Sequence, residues 1–211
     1  MTYIMFVGID GSGKTTQTKL LAQKLAAIHP DRHITLTNEP TGSSLAHALR
    51  ETILDSSHPP ATQIALMLLA RADTLNNVVE PALSQGDIVI SDRGWPCTFA
   101  YQGTLPNAPA ISDIQELNQI ALEGRNPDLI IWLNCPIEAA AKRLEKRGEI
   151  PDKVRLERVS RAYRMLWFNE SNLWEECKPI EVVYCRNKTE EEIASEIFQL
   201  VKPLLQSEVA A

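Results

Sequence analysis

The sequence predicts an α/β fold of three layers, a five-stranded parallel sheet flanked by helices. Three observations predict it. Short β-leaning apolar runs alternate with helix-period segments along the whole chain. The runs are apolar at consecutive positions, as suits strands buried on both faces. The first of them leads into a glycine-rich loop, and that loop leads into a helix. The 211 residues are enough for one domain with a full core, here read as 1–211 with a small insert.

The elements follow in order. Tyr3–Val7 is the first strand. Gly8-Ile9-Asp10-Gly11-Ser12-Gly13-Lys14-Thr15 then meets the phosphate-cradling pattern G-x-x-x-x-G-K-[ST] at each constrained position. Its glycines let several N–H groups turn toward one anion, and the helix behind them adds its positive end. Leu20, Leu21, Leu25 and Ile28 give that helix its apolar spacing. Ile34–Thr37 is the second strand, ending at Asn38-Glu39-Pro40-Thr41-Gly42, and helices are expected over Leu45–Leu54 and Ala61–Leu83. Asp87–Ser91 is the third strand and delivers Asp92-Arg93 to its carboxyl end, where open α/β sheets bind ligands. A Pro-, Asn- and Gly-rich loop over Gly103–Pro109 precedes a helix from about Ser112 to Glu123. Asp128–Asn134 is the fourth strand, and Pro136 opens another helix. Ile180–Tyr184 is the fifth strand and Thr189–Leu205 the closing helix, started by the capping box Thr189-Glu190-Glu191-Glu192.

The charge pattern adds a functional element. The chain carries a net charge of −6, which disfavours a nucleic-acid polymer as partner. Yet Lys142 to Arg164 holds nine basic residues against four acidic ones, interrupted by Gly148 and Pro151. Helix, flexible break and helix describe either two solvated helix faces laced with i,i+4 ion pairs or a mobile lid over about 142–155 that brings cations onto phosphates. No apolar run approaches the ~20 residues of a membrane span. The N-terminal apolar run reads as a strand and not as a leader. Cys97, Cys135, Cys177 and Cys185 lack metal spacing and suit reduced thiols in the cytoplasm. The four histidines have no partnered spacing, Trp132 reads as core, Trp95 as core or a wall of a ligand site past the third strand, and Trp167, Phe168 and Trp174 as core or a subunit contact.

Phe6 to Gln17, Glu39-Pro40-Thr41-Gly42, Leu49-Arg50, Val79 to Leu83, Ile88 to Arg93, Ala100-Tyr101-Gln102-Gly103, Pro127 to Leu133 and Ala162-Tyr163 together resemble the thymidylate kinases, a group of P-loop nucleoside monophosphate kinases. The resemblance implies a P-loop kinase fold and transfer of phosphoryl from ATP to dTMP with Mg2+, giving ADP and dTDP. It also implies a homodimer formed through helices. By that likeness, Gly8, Ile9, Asp10, Gly11, Ser12, Gly13, Lys14, Thr15 and Thr16 bind ATP, with Thr15 and Asp92 at the metal. Arg93 takes the acceptor phosphate with help from Arg50, and Asp10 lies near the acceptor sugar. Thr98, Tyr101 and Gln102 line the acceptor pocket, with Tyr101 excluding a 2′-hydroxyl, and Glu39 and Pro40 adjoin the base.

Members of that family carry a transition-state arginine either in the phosphate loop or in the lid; the loop here contains none, so the resemblance implies that the lid supplies it. Arg143 and Arg147 fit that role, with Lys153 or Arg155 as a second cation, and Lys14, Asp10 and Arg93 complete the catalytic set. The chain departs from the family pattern in places. Asn38 replaces an arginine of several members, and gapless comparison back from Val78 puts Ala70 and Thr74 where a stacking Phe and a base-contacting Arg are usual. Arg71 stands nearby to replace that arginine. The lid ends in Asp152-Lys153-Val154-Arg155, against a usual Asp-Arg-aromatic-Glu. Two other readings share the motifs: a kinase acting on another deoxynucleoside monophosphate or a nucleoside, and an NTP-hydrolysing regulatory protein with no acceptor pocket.

Overall fold

The computed structural model describes residues 1–168 and 179–209. Its centre is one sheet of five parallel strands: β1 (Thr2–Val7), β2 (Ile34–Asn38), β3 (Ile88–Asp92), β4 (Leu129–Asn134) and β5 (Ile180–Tyr184). Their order across the sheet is β2-β3-β1-β4-β5. Every residue of β1 is buried, which requires cover on both faces and explains its unbroken apolar run. The chain winds outward to β2 and β3 on one side of β1 and to β4 and β5 on the other. A crevice therefore opens past the carboxyl end of β1, at the switch point. Register pairs Phe6 with Asp92, so the loops after β1 and β3 reach that crevice side by side.

Helices α1 (Lys14–Ile28) and α10 (Glu190–Val209) pack against each other and the sheet. The capping box of α10 forms as the sequence indicates. The Thr189 amide donates to Glu192 Oε2 at 2.7 Å, and the Glu192 amide to Thr189 Oγ1 at 3.2 Å.

Two expected helices are divided. Leu45–Leu54 becomes α2 (Ser44–Ala48) and α3 (Arg50–Leu54), parted at Leu49 with φ −90° and ψ 0°. Ala61–Leu83 becomes α4 (Pro60–Thr74), a π-helical turn at Leu75–Val79 and α5 (Glu80–Ser84). Pro81 has no N–H for the carbonyl four residues back, and the ladder widens just before it. The short helix α6 (Trp95–Tyr101), buried along its whole length, follows β3 without a periodic signal in the sequence. Then come α7 (Ile111–Leu122), α8 (Ile137–Lys146) and α9 (Lys153–Phe168). The break expected at Gly148 and Pro151 separates the last two.

Trp95 and Trp132 are core residues, and Trp167 packs on Trp132 with ring centroids 5.7 Å apart. Cys97, Cys135 and Cys185 are buried free thiols, while Trp174 and Cys177 lie outside the described residues. Among the described residues no helix is long and apolar enough to cross a membrane.

Candidate active site

Between β1 and α1 the loop closes around its own lysine. Lys14 Nζ donates to the carbonyls of Gly8 at 3.0 Å and Ile9 at 2.9 Å and is buried. Burial, and next the Arg93 guanidinium, pull its pKa down to about 8, against the opposing pull of Asp92 and Asp10. Gly13, at φ 100°, turns the chain into α1 in a left-handed conformation. Gly11, at φ 77°, has no room for a side chain: a Cβ there would stand 2.4 Å from the Ala140 carbonyl oxygen of α8. The loop is thus wedged against α8.

That wedge opens on a cavity of about 370 Å³ lined by the loop, Arg93, Arg143, Lys146, Arg147, Glu190 and Ile193. Five cations and two carboxylates (Asp10 and Glu190) line it, the balance a polyphosphate needs. The Thr15 hydroxyl donates to Asp92 Oδ2, and the other oxygen, Asp92 Oδ1, is buried without a hydrogen bond. A hydroxyl and an unsatisfied carboxylate oxygen beside a phosphate loop fit Mg2+, which takes few protein ligands and keeps phosphate oxygens and waters. Among the described residues, no cluster of three or more His, Cys, Asp or Glu offers a metal cage.

On the other side of Asp10 the polar groups gather around α6. Arg93 leaves β3 at φ 80°, a strained backbone angle for a residue with a side chain, and forms an ion pair with Asp10. Burial pushes the Asp10 carboxyl up, but Arg93, Lys14 and Arg155 outweigh it and hold it below the ordinary value. The Tyr101 ring carries two guanidinium groups, Arg93 at 5.3 Å and Arg155 at 5.2 Å from its centroid. Burial pushes its phenol up to about 12, against Arg93, so it stays a neutral hydroxyl at pH 7.

Behind it lies a buried network. Arg71, 2% exposed, donates bidentately to Glu39 at 2.9 and 2.6 Å, to Asn118 Oδ1 at 2.6 Å and to Thr98 Oγ1 at 2.9 Å. The turn after β2 and the helices α4, α6 and α7 meet on one guanidinium. Arg71 is therefore engaged by protein groups on every nitrogen, and Ala70 and Thr74 flank it on the same helix. Pro40 follows Glu39 directly, Gln102 caps the end of α6, and Arg50 is exposed at the start of α3.

The arginines of α8, α9 and the turn between them are placed differently from one another. Arg143 donates to the carbonyls of Gly11 and Ser12, both at 3.2 Å, and so braces the loop from above. Arg147 is half-exposed at the cavity rim and pairs with Glu149 at 3.0 Å. Arg155, in the first turn of α9, lies 3.8 Å from Asp10 Oδ2. Arg158 donates to the Tyr101 carbonyl at 3.0 Å and to Thr104 Oγ1, tying α9 to α6.

A family model described as Thymidylate kinase matches residues 6–195. A thymidylate kinase of Prochlorococcus marinus is 35% identical over 213 residues, covering 95% of this chain and 97% of the relative. The chain belongs to the thymidylate kinase family. It is a nucleoside monophosphate kinase, a phosphotransferase. A thymidylate kinase of Cupriavidus metallidurans is 39% identical over 161 residues, covering 76% of this chain and 77% of that one. The crystal structure of thymidylate kinase from Ehrlichia chaffeensis is similar in fold, with a TM-score of 0.74 at 24% identity, over 95% of this chain and 98% of that one. Parallel sheet, flanking helices and strand count all agree with that architecture.

The loop residues Asp10 to Thr16 that the sequence pattern singles out line the cavity. Asn118 and Arg158 were not singled out by any motif. Both are recognised only through partners brought from 47 and 57 residues away.

Proposed function

We propose that this chain transfers the γ-phosphoryl group of ATP to dTMP, releasing ADP and dTDP. The observation that supports the reading is the Arg93–Asp10 pair, which joins the cationic cavity to a second group of polar side chains around Tyr101. A protein that only hydrolysed ATP would have no use for the second half. The acceptor phosphate already bears an anionic oxygen at neutral pH, so the reaction needs alignment and charge neutralisation more than a base.

Lys14 leaves its carbonyl partners for the β- and γ-phosphates, and the backbone of Gly8 to Thr16 cradles the chain of phosphates. Thr15 and Asp92 hold Mg2+, which when bound offsets charge on the transferring group. Arg93 grips the acceptor phosphate with its planar fork. Arg143 and Arg147 supply the lid charge, the first from over the loop and the second from the rim. Tyr101 faces the sugar, and Thr98, Gln102 and Pro40 shape the pocket that the Arg71–Glu39 network supports.

A coupled ADP-release assay with dTMP, dUMP, dGMP, dAMP, dCMP and thymidine tests the reading. Turnover with dTMP well above the others is expected, and activity confined to a purine acceptor overturns it. Arg93→Ala is expected to cost on the order of 10³ in acceptor-dependent turnover while ATP still binds.

We further propose a single-domain cytoplasmic homodimer. Leu69 on α4 and Leu117 and Ile120 on α7 are exposed on two helices that pack together, and Ile120 is 68% exposed. Sedimentation is expected to give twice the 23.5 kDa chain mass, and Ile120→Lys to shift it to the monomer.

A further inference from the structure

The donor cavity takes its lid cations from α8 and the turn after it, and Arg155 is not among its lining residues. Arg155 instead reaches the opposite side of Asp10. Its Nη2 lies 3.8 Å from Asp10 Oδ2, and its guanidinium is 5.2 Å from the centre of the Tyr101 ring, which also carries Arg93 at 5.3 Å. The contact with Asp10 is longer than the ~2.7–2.9 Å of a charge-assisted hydrogen bond. The side chain is 52% exposed. Arg93, by contrast, is closely paired with the same carboxylate.

We propose that Arg155 is a second positioning cation for the acceptor's phosphate, kept in place by Asp10 and the face of Tyr101 until that phosphate arrives. Three cations, Arg93, Lys14 and Arg155, act on one carboxylate, Asp10. A phosphate monoester carries about −1.5 to −2 at neutral pH and meets that surplus directly. A guanidinium in loose contact has N–H groups left to give, and its planar fork suits phosphate oxygens. The same helix holds Tyr101 twice: Arg158 bonds its carbonyl and Arg155 covers its ring. α9 therefore presents Arg155 on the Tyr101 side of Asp10 and not to the donor cavity.

The inference rests on the acceptor being a nucleoside monophosphate, and the test separates the two claims. Binding of dTMP and of thymidine, and KM for dTMP and ATP, are measured for the unaltered protein, Arg155→Gln and Arg155→Lys. Arg155→Gln is expected to raise Kd and KM for dTMP about 10- to 100-fold, the loss of one charged hydrogen-bonding partner. Thymidine affinity and KM for ATP should stay within about twofold, and Arg155→Lys should recover part of the loss. An unchanged dTMP affinity in Arg155→Gln, or an equal loss for ATP, overturns the assignment alone. An unaltered protein that neither binds nor phosphorylates dTMP overturns the acceptor reading and this inference with it.

Discussion

Arg71 is the residue whose removal should be felt most widely. Its charge is tolerated inside the protein only because Glu39, Asn118 and Thr98 take its donors, and Glu39 in turn depends on it. Arg71→Ala leaves a buried carboxylate unpaired, which costs about 3–5 kcal/mol when such pairs are broken from one side. Urea unfolding should show that loss, and a change below about 1 kcal/mol would mean that water replaces the guanidinium. Lys14 makes a prediction about pH. Free, it titrates near 8, and polyphosphate beside it must raise that value. Binding of ATP therefore takes up a proton between about pH 8 and 10, and affinity falls as pH rises through that window. Below pH 7 the ammonium is already formed and contributes no uptake. Calorimetry at pH 8.5 in buffers of different ionisation enthalpy should show the uptake, and Lys14→Met should abolish it. Residues fixed by a local pattern, such as Lys14, Thr15 and Arg93, were readable from the sequence. Asn118 and the reach of Arg155 were not, since each is defined by a partner on another element.

Elements tell a related story about what local signals carry. Strand positions were legible because burial on both faces demands unbroken apolar runs, and β1 and β4 show it. The closing helix was legible from Thr189 and Glu192. Thr189→Ala should cost about 1 kcal/mol through loss of the cap, read as a lower urea midpoint. The two divided helices escaped because periodicity persists across Leu49 and across the π turn, while only the backbone ladder changes. The wedge between the phosphate loop and α8 was likewise invisible. It predicts that Gly11→Ala, strained at φ 77° and blocked by the Ala140 carbonyl, displaces the loop. A strained left-handed residue alone costs about 1–3 kcal/mol, so KM for ATP should rise at least ~10-fold. An unaltered KM would show that α8 yields freely.

At the scale of the whole molecule, an acidic chain concentrates positive charge in one cavity. The net charge is −6, yet that cavity is lined by Lys14, Arg93, Arg143, Lys146 and Arg147. The winding order of the sheet places the phosphate loop and Asp92-Arg93 side by side, and α9 reaches Asp10 of the loop through Arg155 and α6 through Arg158. Phosphoryl transfer between two bound nucleotides is the central claim, and product stoichiometry tests it most directly. ADP and dTDP are quantified by chromatography after incubation with ATP, with and without dTMP. The account predicts one dTDP formed for each ADP and negligible ADP in the absence of dTMP. ADP released at the same rate whether or not dTMP is present, with no dTDP formed, would contradict it.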